Sequence, residues 1–331
     1  MDFITLEAQS ERATIVPEAG CQCFDYRVAS LEIIAGPPDL DVWRAHPFRS
    51  GIPLLFPWPG RVANGIFHFE GREIRLPINE PAHGHAIHGL TWNCAFRVVR
   101  RGPYYVHTEL DSSSSAELKR YWPYRFLLEV DYEVGNGLRV RARTRNTADL
   151  AMPFGFGAHP YFHAPVGGAG TRADLTVQVP PAISRWPLDE KMIPTGSPLA
   201  LAGRFDLRNP QRLADGSYDD AFHLDPVRDL AAPCARLVNP ANRTAIEVQA
   251  DAEFGEFVVF APPDHQVVAL EPYTCAPDAF NLAGRGIGSA LRVLSPGASF
   301  ETGFEIRFSG PLIWARDALP ALGRLRENPR S

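Results

Sequence analysis

The chain has 331 residues, of which 45% are hydrophobic and 21% charged, a composition typical of a soluble globular protein with a large buried core. Its net charge of −5 at pH 7 argues against a nucleic acid or an anionic membrane as partner, because either would require a basic surface. No window approaches the roughly 18 consecutive apolar residues of a membrane span, and the N-terminus lacks the pattern of a secretory signal.

Proline, glycine and cysteine are spread along the chain. The 31 prolines and 27 glycines punctuate short segments, as expected of many strands joined by turns. The five cysteines are odd in number and form no CxxC pair, which favours reduced thiols in a cytoplasmic protein over a disulfide framework.

The first 61 residues predict strands followed by irregular chain. Ala13–Val16 and Phe24–Ile34 form apolar runs on either side of a turn, so we expect an opening hairpin or meander, with a loop over residues 36–50. Gly51–Arg61 reads Gly-Ile-Pro-Leu-Leu-Phe-Pro-Trp-Pro-Gly-Arg, and its three prolines exclude a helix or a central strand. Arg61 is either an ordinary surface arginine or a planar fork suited to vicinal hydroxyls or an anion.

Two hairpins follow from strict alternation of apolar and polar residues. Ile66–Leu76 turns at a Glu-Gly-Arg sequence, and Arg125–Val134 returns through Leu138–Arg145 after a Gly-Asn-Gly turn. In the second hairpin the acids of one strand face the arginines of the next, each pair contributing ~0.2–1 kcal/mol. The arginines therefore indicate a solvated sheet face and not a nucleic-acid-binding stripe.

Three of the ten histidines are concentrated in a short segment, His83-x-His85-x-x-His88. Side chains two apart share a strand face and could bind zinc, although no nearby Cys, Asp or Glu completes a ligand set. The alternatives are a loop with incidental histidines, or His88 as a ligand contact beside Gly89 and the aromatic wall of Trp92.

The segment Pro153–His163 combines glycines, a histidine and aromatic rings. Gly155 and Gly157 indicate that something approaches this backbone closely. His159 precedes a proline, which favours an extended conformation, and Tyr161 adds a flat surface with a polar tip. His159 is therefore either a proton donor at a sugar site or a buried structural histidine.

Carboxylates stand out in two later segments. Asp219 and Asp220 are adjacent, so on a strand at most one can point into a pocket, and an Asx turn is the alternative. Glu271 follows the apolar strand Val267–Leu270 and precedes a proline. Partial burial there would raise its pKa and make it a better base, whereas an edge position would leave it in solvent.

The end of the chain completes an all-β prediction with less than about a fifth of the residues helical. Ser299–Phe308 alternates as a final strand, and the tail from Ala315 is expected to be a short helix or frayed.

Taken together, these segments resemble the aldose 1-epimerase (galactose mutarotase-like) family over roughly residues 10–308. The motifs that carry the resemblance occur in the family's order: Phe56–Arg61, His88-Gly89, Gly155–Phe162, Ile193–Gly196, Asp219–Phe222 and Leu270–Tyr273. The resemblance implies a single-domain antiparallel β-supersandwich over residues 1–331, with a sugar in a groove across one sheet. It also implies a small-molecule sugar as partner, no metal and no cofactor, in a monomer or homodimer.

By matching position, the resemblance makes Glu271 the general base and His159 the general acid. The residues expected to contact the sugar are His88, Asp219, Arg61, Tyr161 and Trp58, with Trp92 and Phe280 as further rings for stacking on the sugar. Many family members have Asn-Arg where this chain has Gly60-Arg61, and Asn-Leu where it has His163-Ala164. These departures lie near the substrate in the family, so the identity of the sugar stays open.

The chemistry of anomer exchange fits a carboxylate and an imidazole independently. A base removes the C1 hydroxyl proton while an acid protonates the ring oxygen, and each transfer typically accelerates a reaction ~10²–10⁴-fold. Three other functions remain as alternatives: a glycoside hydrolase using Asp219 and Glu271, a non-catalytic carbohydrate-binding module, and an epimerase of a phosphorylated or sulfonated hexose with Arg61 as anion clamp.

Overall fold

The computed structural model describes residues 1–311, of which 44% lie in strands and 12% in helices. The all-β prediction is therefore confirmed, and the predicted tail from Ala315 lies outside the described residues. The α-helices are Leu40–Ala45, Ala116–Tyr121 and Ala279–Gly284. Single 3₁₀ turns occur at Ala63–Gly65, Ser112–Ser114, Val166–Gly168, Arg172–Asp174, Gly203–Phe205 and Leu213–Asp215.

The larger of two main sheets, called the large sheet below, is antiparallel throughout the described chain. Its strands, in spatial order, are Arg97–Arg101, Tyr105–Asp111, Phe126–Glu133, Leu138–Asn146, Ser299–Ser309, Thr244–Ala250, Ala235–Asn239, Thr176–Gln178 and Gln211–Arg212. Alternate residues of these strands are buried, as the period-two pattern of the sequence predicts.

The predicted charged hairpin lies at the centre of the large sheet and is confirmed in detail. Glu129 pairs with Arg143, Asp131 with Arg141, and Glu133 with Arg139 in the antiparallel register. The alternate residues of both strands are buried, so the charged row faces solvent.

The second main sheet, called the site sheet below, is antiparallel as well. Its strands, in spatial order, are Leu199–Ala200, Ala182–Arg185, Tyr218–Leu224, Glu256–Ala261, Val267–Tyr273, Gly157–Ala158 and Leu54–Leu55, with Tyr161–His163 also pairing with Val267–Tyr273. The register places Phe260 opposite Asp219 and Val258 opposite Glu271, so all four side chains share one face.

The other face of the site sheet packs on the large sheet. Its side chains Phe222, Val259 and Leu270 belong to the same hydrophobic cluster as Val130 and Val140 of the large sheet. The core therefore fills the space between the two sheets, and the opposite face of the site sheet is left for function. Within residues 1–311, no helix has the length and apolar character needed to cross a membrane.

The remaining strands form smaller antiparallel units. The N-terminal unit contains Ile4–Ala8, Glu11–Val16, Gln22–Val28 and Leu31–Glu32, which confirms the expected meander. The three pairs are Arg61–Val62 with Ala86–Ile87, Ile66–Phe69 with Arg72–Arg75, and Met152–Phe154 with Arg292–Leu294. The second pair is the predicted hairpin at residues 66–76. All five cysteines are buried and unpaired.

The prediction of a loop over residues 36–50 is wrong in part, because a short helix occupies Leu40–Ala45. The Asp39 carboxylate accepts a hydrogen bond from the backbone N–H of Val42 at 2.8 Å and caps the helix. Trp43 on this helix is buried, with its ring 5.7 Å from that of Phe24. The capping aspartate was the available sequence signal.

The sequence predicts that the strand carrying Glu271 ends at this residue, but the strand continues through Pro272 to Tyr273. On one side Pro272 pairs with Phe257. On the other side the neighbouring chain changes at this point from Tyr161–His163 to Gly157. A proline is tolerated here because the neighbouring strand is interrupted, and His159 lies in that interruption.

Candidate active site

A cavity of about 680 Å³ lies on the open face of the site sheet. Six residues singled out from the sequence line it: Arg61, His88, His159, Tyr161, Asp219 and Glu271. They are separated by up to 210 positions in the chain, so only the fold brings them together.

The proline-rich loop holds the backbone that carries His159. The backbone N–H of Gly155 donates to the carbonyl of Pro57 at 2.8 Å, and that of His159 donates to the carbonyl of Pro53 at 3.0 Å. Gly157 pairs with Leu55 between these two bonds. Main-chain hydrogen bonds therefore fix the backbone position of His159, independently of its side-chain contacts.

The prediction that Gly155 and Gly157 admit a close approach is confirmed. A Cβ atom on Gly155 would collide with the side chain of Cys275. A Cβ atom on Gly157 would lie 2.7 Å from Pro59 and 2.8 Å from the ring of Tyr273. Both glycines make room for the segment that follows Glu271.

His159 and Glu271 are in direct contact at the bottom of the cavity. His159 Nε2 lies 3.1 Å from Glu271 Oε1, and both side chains are almost completely buried. The Tyr273 hydroxyl donates a hydrogen bond to Glu271 Oε2 at 2.6 Å. The ring of Tyr161 stacks on His159 with centroids 4.4 Å apart and planes within 15°. Each member of the pair thus has a second neighbour that fixes its orientation.

Burial moves the two pKa values in opposite directions. It raises the pKa of Glu271 well above its ordinary value, and the Tyr273 hydrogen bond opposes this only in part. It lowers the pKa of His159 to about 3. Both shifts favour uncharged groups, because a charge is poorly solvated away from water. Because the two side chains are in direct contact, a proton can pass between them.

Arg61 is bound by a carboxylate that the sequence interpretation overlooked. Its Nε and Nη2 atoms donate to Glu80 at 2.9 Å and 2.8 Å, and both side chains are largely buried. Burial opposes the charge of Arg61, but Glu80 and Asp219 keep its pKa above the usual value. Burial also raises the pKa of Asp219, against the attraction of Arg61.

The structure separates the two adjacent aspartates. Asp220 binds Arg204, with 2.9 Å between its Oδ2 and Arg204 Nη1. Asp219 lies on the face of the site sheet that carries Glu271, where it is the better placed of the two for a ligand in the cavity.

His88 adopts a backbone conformation that is unusual for a side chain of its size. Its φ of 61° is left-handed, and its backbone N–H donates to the carbonyl of Gly60 at 2.9 Å. Its ring meets that of His159 edge-on at 5.3 Å. Burial holds the pKa of His88 well below the usual range, so the imidazole is neutral. Nδ1 is buried and has no hydrogen-bond partner among the described residues.

The three clustered histidines point to different partners. His83 Nδ1 lies 3.1 Å from Glu80, His85 Nδ1 accepts from the backbone N–H of Asn64, and His88 faces the cavity. No group of three or more His, Cys, Asp or Glu side chains in residues 1–311 is arranged to hold a metal ion.

The rings expected to stack on a sugar lie elsewhere. Trp58 is 2% exposed and packs 5.9 Å from Trp122, and it is not among the described residues that line the cavity. Phe280 stacks on Phe67 at 4.1 Å, inside the core. Trp58 lies in the proline-rich loop and Phe280 on the helix Ala279–Gly284, whereas Tyr161 and Phe260 are among the rings that line the cavity.

The sequence profile of the aldose 1-epimerase family matches residues 2–307 of this chain. The chain belongs to the aldose 1-epimerase family. It is therefore an isomerase of the sugar epimerase type, as the resemblance implied. Among curated relatives, the chain is 28% identical over 288 residues to the Escherichia coli uncharacterized protein YihR, which covers 84% of this chain and 85% of that protein.

Galactose mutarotases match a shorter part of this aldose 1-epimerase family member. The human protein is 28% identical over 173 residues, which is 50% of this chain and 46% of the human protein. A galactose mutarotase-like protein from Clostridium acetobutylicum superposes with a TM-score of 0.85 at 22% identity, covering 93% and 95% of the two chains. Galactose 1-epimerase from Lactobacillus acidophilus superposes with a TM-score of 0.72 at 19% identity, covering 93% and 94%. These structures establish the predicted fold.

Several cavity residues escaped the sequence interpretation, among them Glu80, Tyr273 and Arg49. The position of Tyr273 could have been predicted from the sequence. Residues two apart on a strand share a face, and Tyr273 follows Glu271 by two. Glu80 and Arg49 lie in irregular segments, where no periodicity predicts direction.

Proposed function

We propose that this protein interconverts the α and β anomers of an aldose by opening and closing the sugar ring, with Glu271 as general base and His159 as general acid. The observation that carries the proposal is the buried contact of 3.1 Å between these two side chains at the bottom of a cavity large enough for a sugar. Anomer exchange needs one proton removed and one delivered on neighbouring oxygens, which such a pair can do.

Ring opening uses the one proton that the pair holds. In the reactive form Glu271 is ionised and His159 is protonated. Glu271 takes the proton of the C1 hydroxyl, the C1–O5 bond breaks as the C1 carbonyl forms, and His159 gives its proton to O5. The pair then consists of a protonated Glu271 and a neutral His159, so its proton count is unchanged.

Ring closure returns the pair to its starting form. Rotation about C1–C2 presents the other face of the aldehyde to O5. His159 then removes the O5 proton as O5 attacks C1, and Glu271 returns its proton to the carbonyl oxygen. In the empty site burial favours a neutral His159 and a protonated Glu271, and the direct contact allows the proton to pass between them.

Other cavity residues supply contacts for the sugar hydroxyls. The buried Nδ1 of His88, without a partner in the described chain, is suited to a hydroxyl hydrogen bond. Asp219 and Arg61 add an acceptor and a donor on the same wall. Tyr161 covers His159 and presents an apolar face to the ring of the sugar.

The remaining alternatives from the sequence lack this support. A glycoside hydrolase uses two carboxyl groups across the scissile bond, whereas the immediate acid–base partner of Glu271 is an imidazole. A binding module has no need for two buried ionisable groups in contact, whose burial costs stability.

A phosphorylated or sulfonated hexose is a second candidate substrate. Arg61 is poorly suited as its clamp, because Glu80 occupies two of its donors. Arg49 also lines the cavity, is exposed, and has no carboxylate partner among the described residues. An anionic group at the mouth of the cavity could therefore pair with Arg49.

The test is anomer equilibration, followed by polarimetry or saturation-transfer NMR across free, phosphorylated and sulfonated aldoses. We expect exchange faster than the uncatalysed rate for at least one sugar. If the substrate is anionic, Arg49→Ala should raise KM about tenfold or more for that sugar and leave neutral aldoses unaffected. Cleavage of a glycoside, or binding without exchange for every sugar, would contradict the proposal.

A further inference from the structure

The Tyr273 hydroxyl makes a short hydrogen bond to the buried carboxylate of Glu271. The donor–acceptor distance is 2.6 Å to Oε2, while Oε1 faces His159 at 3.1 Å. Tyr273 is 2% exposed, so its hydroxyl has no competing water on most sides. Hydrogen bonds to an ionised acceptor are shorter and about twice as strong as neutral ones.

The backbone around Tyr273 is shaped to hold its ring in this position. Gly157 pairs with Tyr273, and a Cβ atom at Gly157 would lie 2.8 Å from the ring. Tyr273 and Glu271 are two apart on one strand, so they share the face of the site sheet. The ring can therefore reach Oε2 from the neighbouring position on that face, while Oε1 faces His159.

We propose that Tyr273 is a positioning residue for Glu271: its hydroxyl fixes the direction of the carboxylate and stabilises its ionised form. The inference rests on the proposed function in assigning Glu271 as the base. Without this donor, burial would hold more of the shared proton on Glu271, and less of the pair would be in the reactive form.

Several other groups influence the ionisation of Glu271. The titratable and charged groups that face it from the surrounding elements are His159, Asp219, Arg61, Tyr161 and, through His159, His88. Asp219 opposes ionisation, and Arg61 favours it with a smaller effect than the Tyr273 hydrogen bond. Removing the Tyr273 hydroxyl leaves the formal charge of this set unchanged and removes a direct hydrogen bond to Glu271.

The test is a titration of the Glu271 carboxyl carbon by NMR in protein labelled with ¹³C-glutamate, with Glu271→Gln to assign the signal. In Tyr273→Phe we expect the midpoint to move to higher pH by about one unit or more, because a hydrogen bond to the charged form is lost. Turnover at neutral pH should fall about tenfold, with KM little changed.

A matched control removes another buried tyrosine hydroxyl. Tyr132 donates to the carbonyl of Cys21 at 2.8 Å in the large sheet. Tyr132→Phe should cost comparable stability while leaving the Glu271 midpoint and turnover unchanged. An unmoved midpoint in folded Tyr273→Phe would overturn the inference.

A second variant applies if Tyr273→Phe does not fold. Fluorotyrosine incorporated at position 273 keeps the shape of the ring and makes the hydroxyl a stronger donor, so the Glu271 midpoint should move to lower pH. No movement there would also overturn the inference. If the midpoints move as expected but the wild type turns over no aldose, the proposed function fails and the positioning role of Tyr273 stands.

Discussion

Two histidine–carboxylate pairs on the two sheets show how much the surroundings change the same contact. On the large sheet, His107 Nδ1 lies 2.7 Å from Asp131, and the two side chains are 15% and 46% exposed. On the site sheet, His159 Nε2 lies 3.1 Å from Glu271, whose side chain is 2% exposed. The distances are similar, and the burial is not.

Solvation distinguishes the pair on the large sheet from the pair to which we assign the reaction. Exposed ion pairs contribute about 0–1 kcal/mol to stability, since water solvates either ionised partner almost as well. At the buried pair, burial raises the pKa of Glu271 and lowers that of His159 to about 3. One proton is then shared between two groups that both resist charge, which suits a reaction that moves a proton in each direction.

The largest expected effect is at His159, the proposed general acid. His159→Asn keeps a hydrogen-bonding side chain but removes the proton donor, so turnover should fall about 10²-fold or more while sugar binding persists. His107→Asn applies the same change to the exposed pair and should leave turnover within about twofold. Saturation-transfer NMR and a sugar titration measure both quantities, and undiminished exchange in His159→Asn would remove it from the mechanism.

A smaller effect is expected where the backbone supports the buried pair. Gly157→Ala places a methyl group 2.7 Å from Pro59 and 2.8 Å from the Tyr273 ring, so we expect a loss of about 1–3 kcal/mol in the free energy of unfolding. Displacing Tyr273 should also reduce turnover. Gly255→Ala is the matched control, because its Cβ would meet nothing within 4 Å. Equal stability of the two variants in urea denaturation would contradict the account.

The smallest effect concerns stability and its dependence on pH. The pKa of Glu271 is higher in the folded than in the unfolded protein, so the folded state binds more protons and stability falls as pH rises from about 4.5 through the folded pKa. Glu271→Gln cannot ionise and escapes this loss. Its stability advantage over the wild type should therefore be about 1 kcal/mol or more greater at pH 8 than at pH 4.5.

Thermal unfolding of both proteins at the two pH values measures this difference. Asp131→Asn applies the same carboxyl-to-amide change on the large sheet and serves as the control. A difference between Glu271→Gln and wild type that is the same at both pH values would show that the carboxylate is not disfavoured by folding.

Much of the fold could be predicted because local patterns determine it. The alternating residues of Phe126–Glu133 and Leu138–Asn146 predict both the strands and their solvent faces, since a shift of one residue would invert every side chain. Gly155 and Gly157 also predicted that another part of the chain lies close to their backbone, but they did not indicate which segment it is. Aspartate is a common N-cap residue, so Asp39 could also have indicated the start of the short helix.

The candidate site was less predictable because long-range contacts complete it. The strand beyond Glu271 continues only because the neighbouring chain breaks at His159, which no local pattern shows. Arg61 meets Glu80 across an irregular segment, and Trp58 turns inward because of the path of its loop. Motifs in the sequence identified several candidate site residues, whereas the residues that contact them could be identified only from the fold.

The central claim is that Glu271 accepts a proton because it is buried beside His159. The most direct measurement compares anomer exchange by saturation-transfer NMR in wild type, Glu271→Gln and Asp131→Asn, with the same carboxyl-to-amide change at each pair. We predict a loss of about 10²-fold or more for Glu271→Gln, on the order of 3 kcal/mol of barrier, and near wild-type exchange for Asp131→Asn. Equal exchange rates in wild type and Glu271→Gln would contradict the claim.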